Sequence, residues 1–243
     1  VGDIGNTEVK ICFFYNGLKK KYLFKTDSLN KKIIRKKFNF LHKKIYLKNA
    51  LISSVVPKTF NQIKKILFNL YKVNCVELKK LNLSKLINVE VNKKEIGSDR
   101  LANAISVMSK NKNFIVVDFG TATTFDVIKK NNYLGGVIAP GVTLSLDNLI
   151  KKASLIPNIE LHKSKSIIGK NTEQAVLSGF LWGYNGLING IISKIKKKTN
   201  QKYKIIFTGG LAHLFNKDIK DKVTIDKNLT INGLIKVSKH FNL

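Results

Sequence analysis

The sequence predicts an α/β protein built from two similar halves, and three observations predict it. Short runs with apolar residues at alternating positions, the period of a half-buried strand, recur in both halves. Stretches with apolar residues three and four apart lie between them, as at Phe60, Ile63, Ile66, Leu67 and Leu70. An acid–x–glycine turn, placed after a strand and before a hairpin, occurs at Asp3-Ile4-Gly5 and again at Asp118-Phe119-Gly120. A repeat at that separation is a duplication of whole domains rather than a short-period solenoid. Sheets crossed by helices in both halves give a two-domain architecture. The domains are expected at 1–110 and 111–243, with the boundary in the polar run Ser109-Lys110-Asn111-Lys112-Asn113.

The elements follow in order. Val1-Gly2 is a short strand stub leading into Asp3-Ile4-Gly5-Asn6-Thr7. Val9, Ile11 and Phe13 alternate, Asn16-Gly17 is a strong hairpin signal, and Tyr22 and Phe24 belong to the returning strand. Residues 50–56 read as a buried strand ended by Pro57, and the helical pattern from Phe60 follows. Gly97-Ser98-Asp99-Arg100 opens a second helical pattern through Leu101, Ala104, Ile105 and Met108. The second half begins with the fully apolar strand Phe114-Ile115-Val116-Val117. A strand over 125–128, a turn at Asn131-Asn132 and a return over 133–138 come next, ending in Ala139-Pro140-Gly141. A strand over 203–207 closes on Thr208-Gly209-Gly210.

Bulk composition narrows the function. Apolar residues make up 44% of the 243 residues, ordinary for a globular protein. No uninterrupted run reaches the ~18 apolar residues of a membrane helix, and no charged-then-apolar leader opens the chain, so a cytoplasmic protein with no membrane partner is expected. Cys12 and Cys75 match no metal spacing and lie among apolar residues, as buried free thiols do. The formal net charge is +29, yet Arg35 and Arg100 are the only arginines. A nucleic-acid reader draws on Arg for bidentate contacts and on aromatics for stacking. Lysine spread along a chain also rich in Asn and Ile reads first as drift on solvated faces. A field attracting anionic substrates comes second and nucleic acid last, so no specific nucleic-acid partner is expected.

The chemistry-bearing residues sit in the turns. In Asp3-Ile4-Gly5-Asn6-Thr7, glycine permits close backbone approach to an anion, Asn and Thr donate hydrogen bonds, and Asp can hold Mg²⁺ directly or through water. Lys10, on the strand beyond, could reach a phosphate. Asp118-Phe119-Gly120-Thr121-Ala122-Thr123-Thr124 sets three threonines and a glycine beside an acid, which a plain solvated strand leaves unexplained. Backbone N–H groups of two such turns can hold the phosphates of one nucleotide. Asp99 at a helix start is either a cap or an anion able to accept a hydroxyl proton, and the neighbouring Arg100, in a chain so poor in arginine, favours the second. His42, His162, His213 and His240 form no metal spacing and no triad.

Together these motifs resemble the type III pantothenate kinases, members of the acetate and sugar kinase superfamily. The resemblance runs in order through Asp3-Ile-Gly-Asn-Thr, Ser53-Ser-Val-Val-Pro57, Gly97-Ser-Asp-Arg100, Asp118-Phe-Gly-Thr-Ala-Thr-Thr124, Gly135-Gly136 to Pro140-Gly141, and Thr208-Gly-Gly210. It implies two duplicated actin-like (ribonuclease H-like) ATPase domains with a nucleotide cleft between them. It implies ATP-dependent phosphorylation of pantothenate to 4′-phosphopantothenate, the first step of coenzyme A synthesis, by a homodimer. By the same resemblance Asp3, Ile4, Gly5, Asn6, Thr7, Glu8, Val9 and Lys10, with Thr121, hold ATP, and Mg²⁺ sits on the phosphates at Asp3. Asp99 is the base, Gly97, Ser98, Arg100 and Thr172 contact pantothenate, and Asp118 binds K⁺ or NH₄⁺. The chain departs from the family pattern at Glu90, where Tyr is frequent, and at Lys93, where Pro is usual. Two other readings remain open: a non-catalytic transcriptional accessory protein of the same fold, and an actin-like kinase for another hydroxyl substrate.

Overall fold

The computed structural model describes residues 1–15, 18–38, 47, 49–163 and 166–243. The hairpin signal at Asn16-Gly17, and His42, lie outside the described residues. The chain forms two compact units, one of Val1–Val107 with Asn228–Leu243 and one of Met108–Lys227. The first unit's leading segment ends at Val107. The last segment, however, belongs to the first unit, whereas the sequence pointed to a second domain running to 243.

The first unit is a five-stranded sheet ordered β3-β2-β1-β4-β5. It comprises β1 (Gly2–Ile4), β2 (Glu8–Tyr15), β3 (Leu18–Lys25), β4 (Asn49–Ser54) and β5 (Asn74–Glu77). β1 pairs antiparallel with β2 and parallel with β4, which pairs parallel with β5. Helix α1 (Lys31–Lys37) starts at Asn30, whose side chain accepts the Ile33 N–H at 3.0 Å. Helix α2 (Pro57–Tyr71) begins with proline, whose missing N–H costs nothing there, and ends at Lys72 with φ 57°. Its Thr59, Ile63, Ile66 and Leu67, three and four apart, are its buried face. They help close a core with Ile4, Val9, Ile11, Phe24 and Ile52. A short strand β6 (Asn88–Val89) precedes helix α3 (Ser98–Val107).

The second unit repeats the plan. Its strands are β7 (Asn113–Phe119), β8 (Ala122–Lys129), β9 (Asn132–Pro140), β10 (Lys204–Gly209) and β11 (Val223–Ile225), ordered β11-β10-β7-β8-β9. β7, β8 and β9 form an antiparallel meander, and β7, β10 and β11 run parallel. Read from the first strand outward, this is the order of β1 to β5, so the duplication expected from the two acidic turns is a duplication of topology. Helices α4 (Val142–Lys152), α5 (Thr172–Thr199) and α6 (Ala212–Phe215) accompany the sheet. Ile115, Val117, Phe119 and Phe125 pack with Leu181, Ile188 and Ile192 of α5 and with Phe207 and Phe215.

Helix α5 stands out by its length and composition. Its 28 residues are long and apolar enough, by length and composition, to cross a membrane. Counting uninterrupted apolar residues missed it because Gly, Ser and Asn break up the run. Its Leu181, Ile188 and Ile192 belong to the core of the second unit.

The chain closes on helix α7 (Leu229–His240), which packs on α3. A Cβ on Gly233 would run into the Ala102 carbonyl, so glycine is what lets the two helices approach this closely. Thr230 Oγ1 donates to Asn103 Oδ1 at 2.8 Å inside the contact. Lys236 Nζ donates to the carbonyls of Ile105 and Ser106 at 3.2 and 2.7 Å, satisfying acceptors that the end of α3 leaves open.

Candidate active site

In the first unit the turn after β1 is closed by the Gly5 N–H, which donates to the Glu8 carbonyl at 2.9 Å. Thr26 braces it from β3's end: its hydroxyl donates to the Gly5 carbonyl at 2.8 Å and its N–H to the Thr7 carbonyl at 3.0 Å. Asn6, Thr7 and Glu8 are exposed at the tip, while Ile4 and Val9 anchor the two strands in the core. Asp3 lies half-buried as the middle residue of β1, in register with Lys10 on β2 and Ser53 on β4. A carboxylate is thus flanked across the sheet by an ammonium-bearing residue and a hydroxyl. Ser53 is fully buried, and its hydroxyl makes no hydrogen bond among the described residues.

The second unit places Asp118 at the matching position. It is the penultimate residue of β7, in register with Thr124 on β8 and Thr208 on β10. The turn is closed by the Gly120 N–H, which donates to the Ala122 carbonyl at 3.1 Å. Glycines crowd it from both sides. Gly209, at φ 87°, lies so close that a Cβ would sit 2.7 Å from Asp118 Oδ1, and a Cβ on Gly141 would run into the Thr121 carbonyl. Thr121 itself is exposed. The buried hydroxyls of Thr123 and Thr124 make no hydrogen bond among the described residues. Of the two, Thr124 is in register with Asp118 and Thr123 with Phe119, so a half-buried carboxylate lies beside glycine backbone and the Thr124 hydroxyl, oxygen groups of the kind hard cations take. Among the described residues no group of three His, Cys, Asp or Glu is placed to hold a metal.

The helix start at 97–100 is built within the first unit. Gly97 accepts the Leu101 N–H at 3.1 Å, and a Cβ on it would collide with Asp99 Oδ1. Asp99 Oδ1 accepts the Arg100 N–H at 2.8 Å, one of the N–H groups that a helix start leaves open. Asp99 and Arg100 are half-buried, whereas Ser98 is 1% exposed, and its hydroxyl donates to Glu77 Oε1 at 2.6 Å. Thr172 is exposed at the first position of α5, behind an Asn171 side chain that accepts the Gln174 N–H at 2.9 Å. Glu90 and Lys93 are exposed.

Strand register therefore brings Asp3 together with Lys10 and Ser53 in the first unit and Asp118 together with Thr124 and Thr208 in the second, while Gly97 to Arg100 form a separate helix start in the first unit. Glu77 was missed by sequence reasoning. It is one acid among many lysines, 21 residues from its partner, and no local pattern marks it.

The family model for type III pantothenate kinases matches residues 1–194, a span that contains both acidic turns and the 97–100 helix start. A type III pantothenate kinase of Pelagibacter ubique is 54% identical over 241 residues, covering 98% of this chain and 97% of that one. Another from Citrifermentans bemidjiense is 39% identical over 191 residues, 77% of this chain and 75% of the relative. Among solved structures, a conserved putative Baf family transcriptional activator from Campylobacter jejuni aligns with a TM-score of 0.62 at 24% identity, over 100% of this chain and 98% of that one. A putative 2-dehydro-3-deoxygalactonokinase from Sinorhizobium meliloti does so at 0.62 and 10% identity, over 99% and 98%. Likenesses at such identities speak for the fold, which is the two-domain actin-like ATPase fold. By its family model and by its likeness to these relatives over nearly its whole length, this chain belongs to the type III pantothenate kinases.

Proposed function

We infer that the chain transfers the γ-phosphoryl group of ATP to the hydroxyl of pantothenate, giving 4′-phosphopantothenate at the start of coenzyme A synthesis. The observation that carries this is the family match over 1–194, which takes in the acidic turns at Asp3 and Asp118 and the helix start at Asp99. In the reaction the hydroxyl oxygen forms the new P–O bond, the bond to the leaving ADP breaks, and the hydroxyl proton goes to Asp99. Phosphoryl transfer asks a protein mainly for positioning and charge neutralisation, which turns, hydroxyls and one base supply. Residues 3–10 would hold the phosphates with Thr121, and Asp3 would hold Mg²⁺ directly or through water. Bound there, the metal neutralises charge on the phosphates. Gly97, Arg100 and Thr172 would face pantothenate, with Arg100 as the fixed fork for its carboxylate.

Asp118 would hold a monovalent cation, for which the oxygen-rich surroundings at Thr124 and Thr208 are the support. Activity is then expected to need K⁺ or NH₄⁺, and equal rates in matched sodium and potassium buffers would remove that assignment. A cytoplasmic homodimer is proposed with it. Val137 and Ile138 on β9, Leu144 and Leu149 on α4, and Trp182 on α5 are large apolar side chains left exposed, as self-association surfaces leave them.

The deciding experiment is ATP consumption measured with pantothenate against a panel of sugars and acetate. Turnover with pantothenate alone is expected. Preference for a sugar would point to an actin-like kinase of another specificity, and no turnover with any of them to a non-catalytic accessory protein.

A further inference from the structure

The first turn of α3 is gripped by a group outside the 97–100 motif. Glu77, half-buried at the end of β5, has both carboxylate oxygens engaged. Oε1 accepts the Ser98 hydroxyl at 2.6 Å and Oε2 accepts the Lys79 N–H at 2.8 Å. Hydrogen bonds from a hydroxyl to a carboxylate are short and roughly twice as strong as neutral ones, and Ser98 is 1% exposed. The loop entering α3 is tied to the same place. Lys79 Nζ donates to the Lys94 carbonyl at 2.9 Å, and the turn around it is closed by Asn92 Nδ2 donating to Glu95 Oε1 at 2.6 Å.

The consequence runs along the backbone. A serine hydroxyl has one proton to donate, and here it goes to Glu77 rather than to a ligand. The next residue is Asp99, whose carboxylate occupies the space a Cβ on Gly97 would need and accepts the Arg100 N–H. The Asp99 side chain is therefore set by the backbone of this turn. Any rotation of the turn re-aims Asp99 and Arg100 together. A carboxylate at this end of the helix also lies in the favourable field of the helix dipole, which helps keep it there.

We propose that Glu77 is a positioning residue for phosphoryl transfer, acting through the Ser98 hydroxyl to hold the first turn of α3 so that Asp99 and Arg100 are aimed. The Ser98 side chain then serves this clamp rather than pantothenate. The proposal rests on Asp99 being the base.

The test is steady-state kinetics and thermal melting of wild type, Glu77→Ala, Glu77→Gln, Ser98→Ala, the Glu77→Ala/Ser98→Ala double variant and Asp99→Asn. Misplacing a reacting group by about 1 Å can cost on the order of 10²-fold in rate. Glu77→Ala and Ser98→Ala should each lower kcat roughly ten-fold or more while the KM for ATP stays within about two-fold. The double variant should be no worse than the worse single, because both remove one shared interaction. Glu77→Gln keeps an acceptor for Ser98 and should fall between wild type and Glu77→Ala, and it decides the matter with Ser98→Ala if Glu77→Ala does not fold. A Glu77→Ala enzyme that melts lower but keeps wild-type kcat would overturn the proposal. So would losses that multiply in the double variant, or a Ser98→Ala change confined to the KM for pantothenate. If Asp99→Asn keeps wild-type kcat, the base reading itself fails and the clamp falls with it. If Asp99→Asn is inactive while Glu77→Ala turns over normally, the clamp alone is wrong.

Discussion

At the scale of single residues, Asp99 and Cys75 sit in contrasting environments. Asp99 is half-buried at a helix start, with part of its surface open to solvent. Asp99→Asn keeps its shape and removes the base, and general bases contribute roughly 10²–10⁴ in rate. A loss of that size in kcat, with ATP binding by calorimetry unchanged, is the expected result; more than about half of wild-type activity would leave Asp99 as a helix-start residue only. Cys75 is at the other extreme. Burial disfavours its thiolate and pushes the thiol up to about 11 from 9.0. Because the folded value is raised, the stabilisation is complete below about pH 9 and is lost as pH rises through about 11. Such a shift is worth at most about 3 kcal/mol. Denaturant melts of wild type and Cys75→Ala should therefore converge across that window, and parallel curves from pH 8 to 11 would show the thiol to be indifferent.

At the scale of elements, the parts legible in sequence are those whose cause is local. The acidic turns need glycine for close backbone approach, and α2 needs its apolar residues three and four apart, so both are written in adjacent positions. The α3–α7 pair is different, since its cause is the absence of a side chain at Gly233 against a backbone carbonyl of Ala102. Gly233→Ala would drive a Cβ into backbone rather than into a flexible side chain. Overpacking of that kind costs about 1–3 kcal/mol, a few to about ten degrees in Tm for a chain of this size. A variant melting at the wild-type temperature would mean that the two helices part at no cost. Helix α1 was equally hard to read: it is seven residues long with only Ile34 buried, too short for a period to stand out.

At the scale of the whole molecule, the charge of +29 and the duplicated topology pull in different directions as guides to function. Charge alone invites a nucleic-acid partner, whereas the paired topology carries the two acidic turns. Binding to nucleic acid is expected to be counterion release only, independent of sequence and lost steeply toward physiological salt. A gel-shift titration at about 0.15 M salt, where the Debye length is ~8 Å, should show no shift. Sequence-selective binding that persisted there would revive the accessory-protein reading. The sequence by itself determined the α/β class, the duplication, the two acidic turns and the family, because each depends on residue types at short spacing. Tertiary structure decided the rest. It returned residues 228–243 to the first unit, paired Asp3 with Ser53 and Asp118 with Thr208 across parallel strands, and joined Glu77 to Ser98. These are contacts between residues far apart in the chain, set by strand register and helix approach, and no local periodicity encodes them.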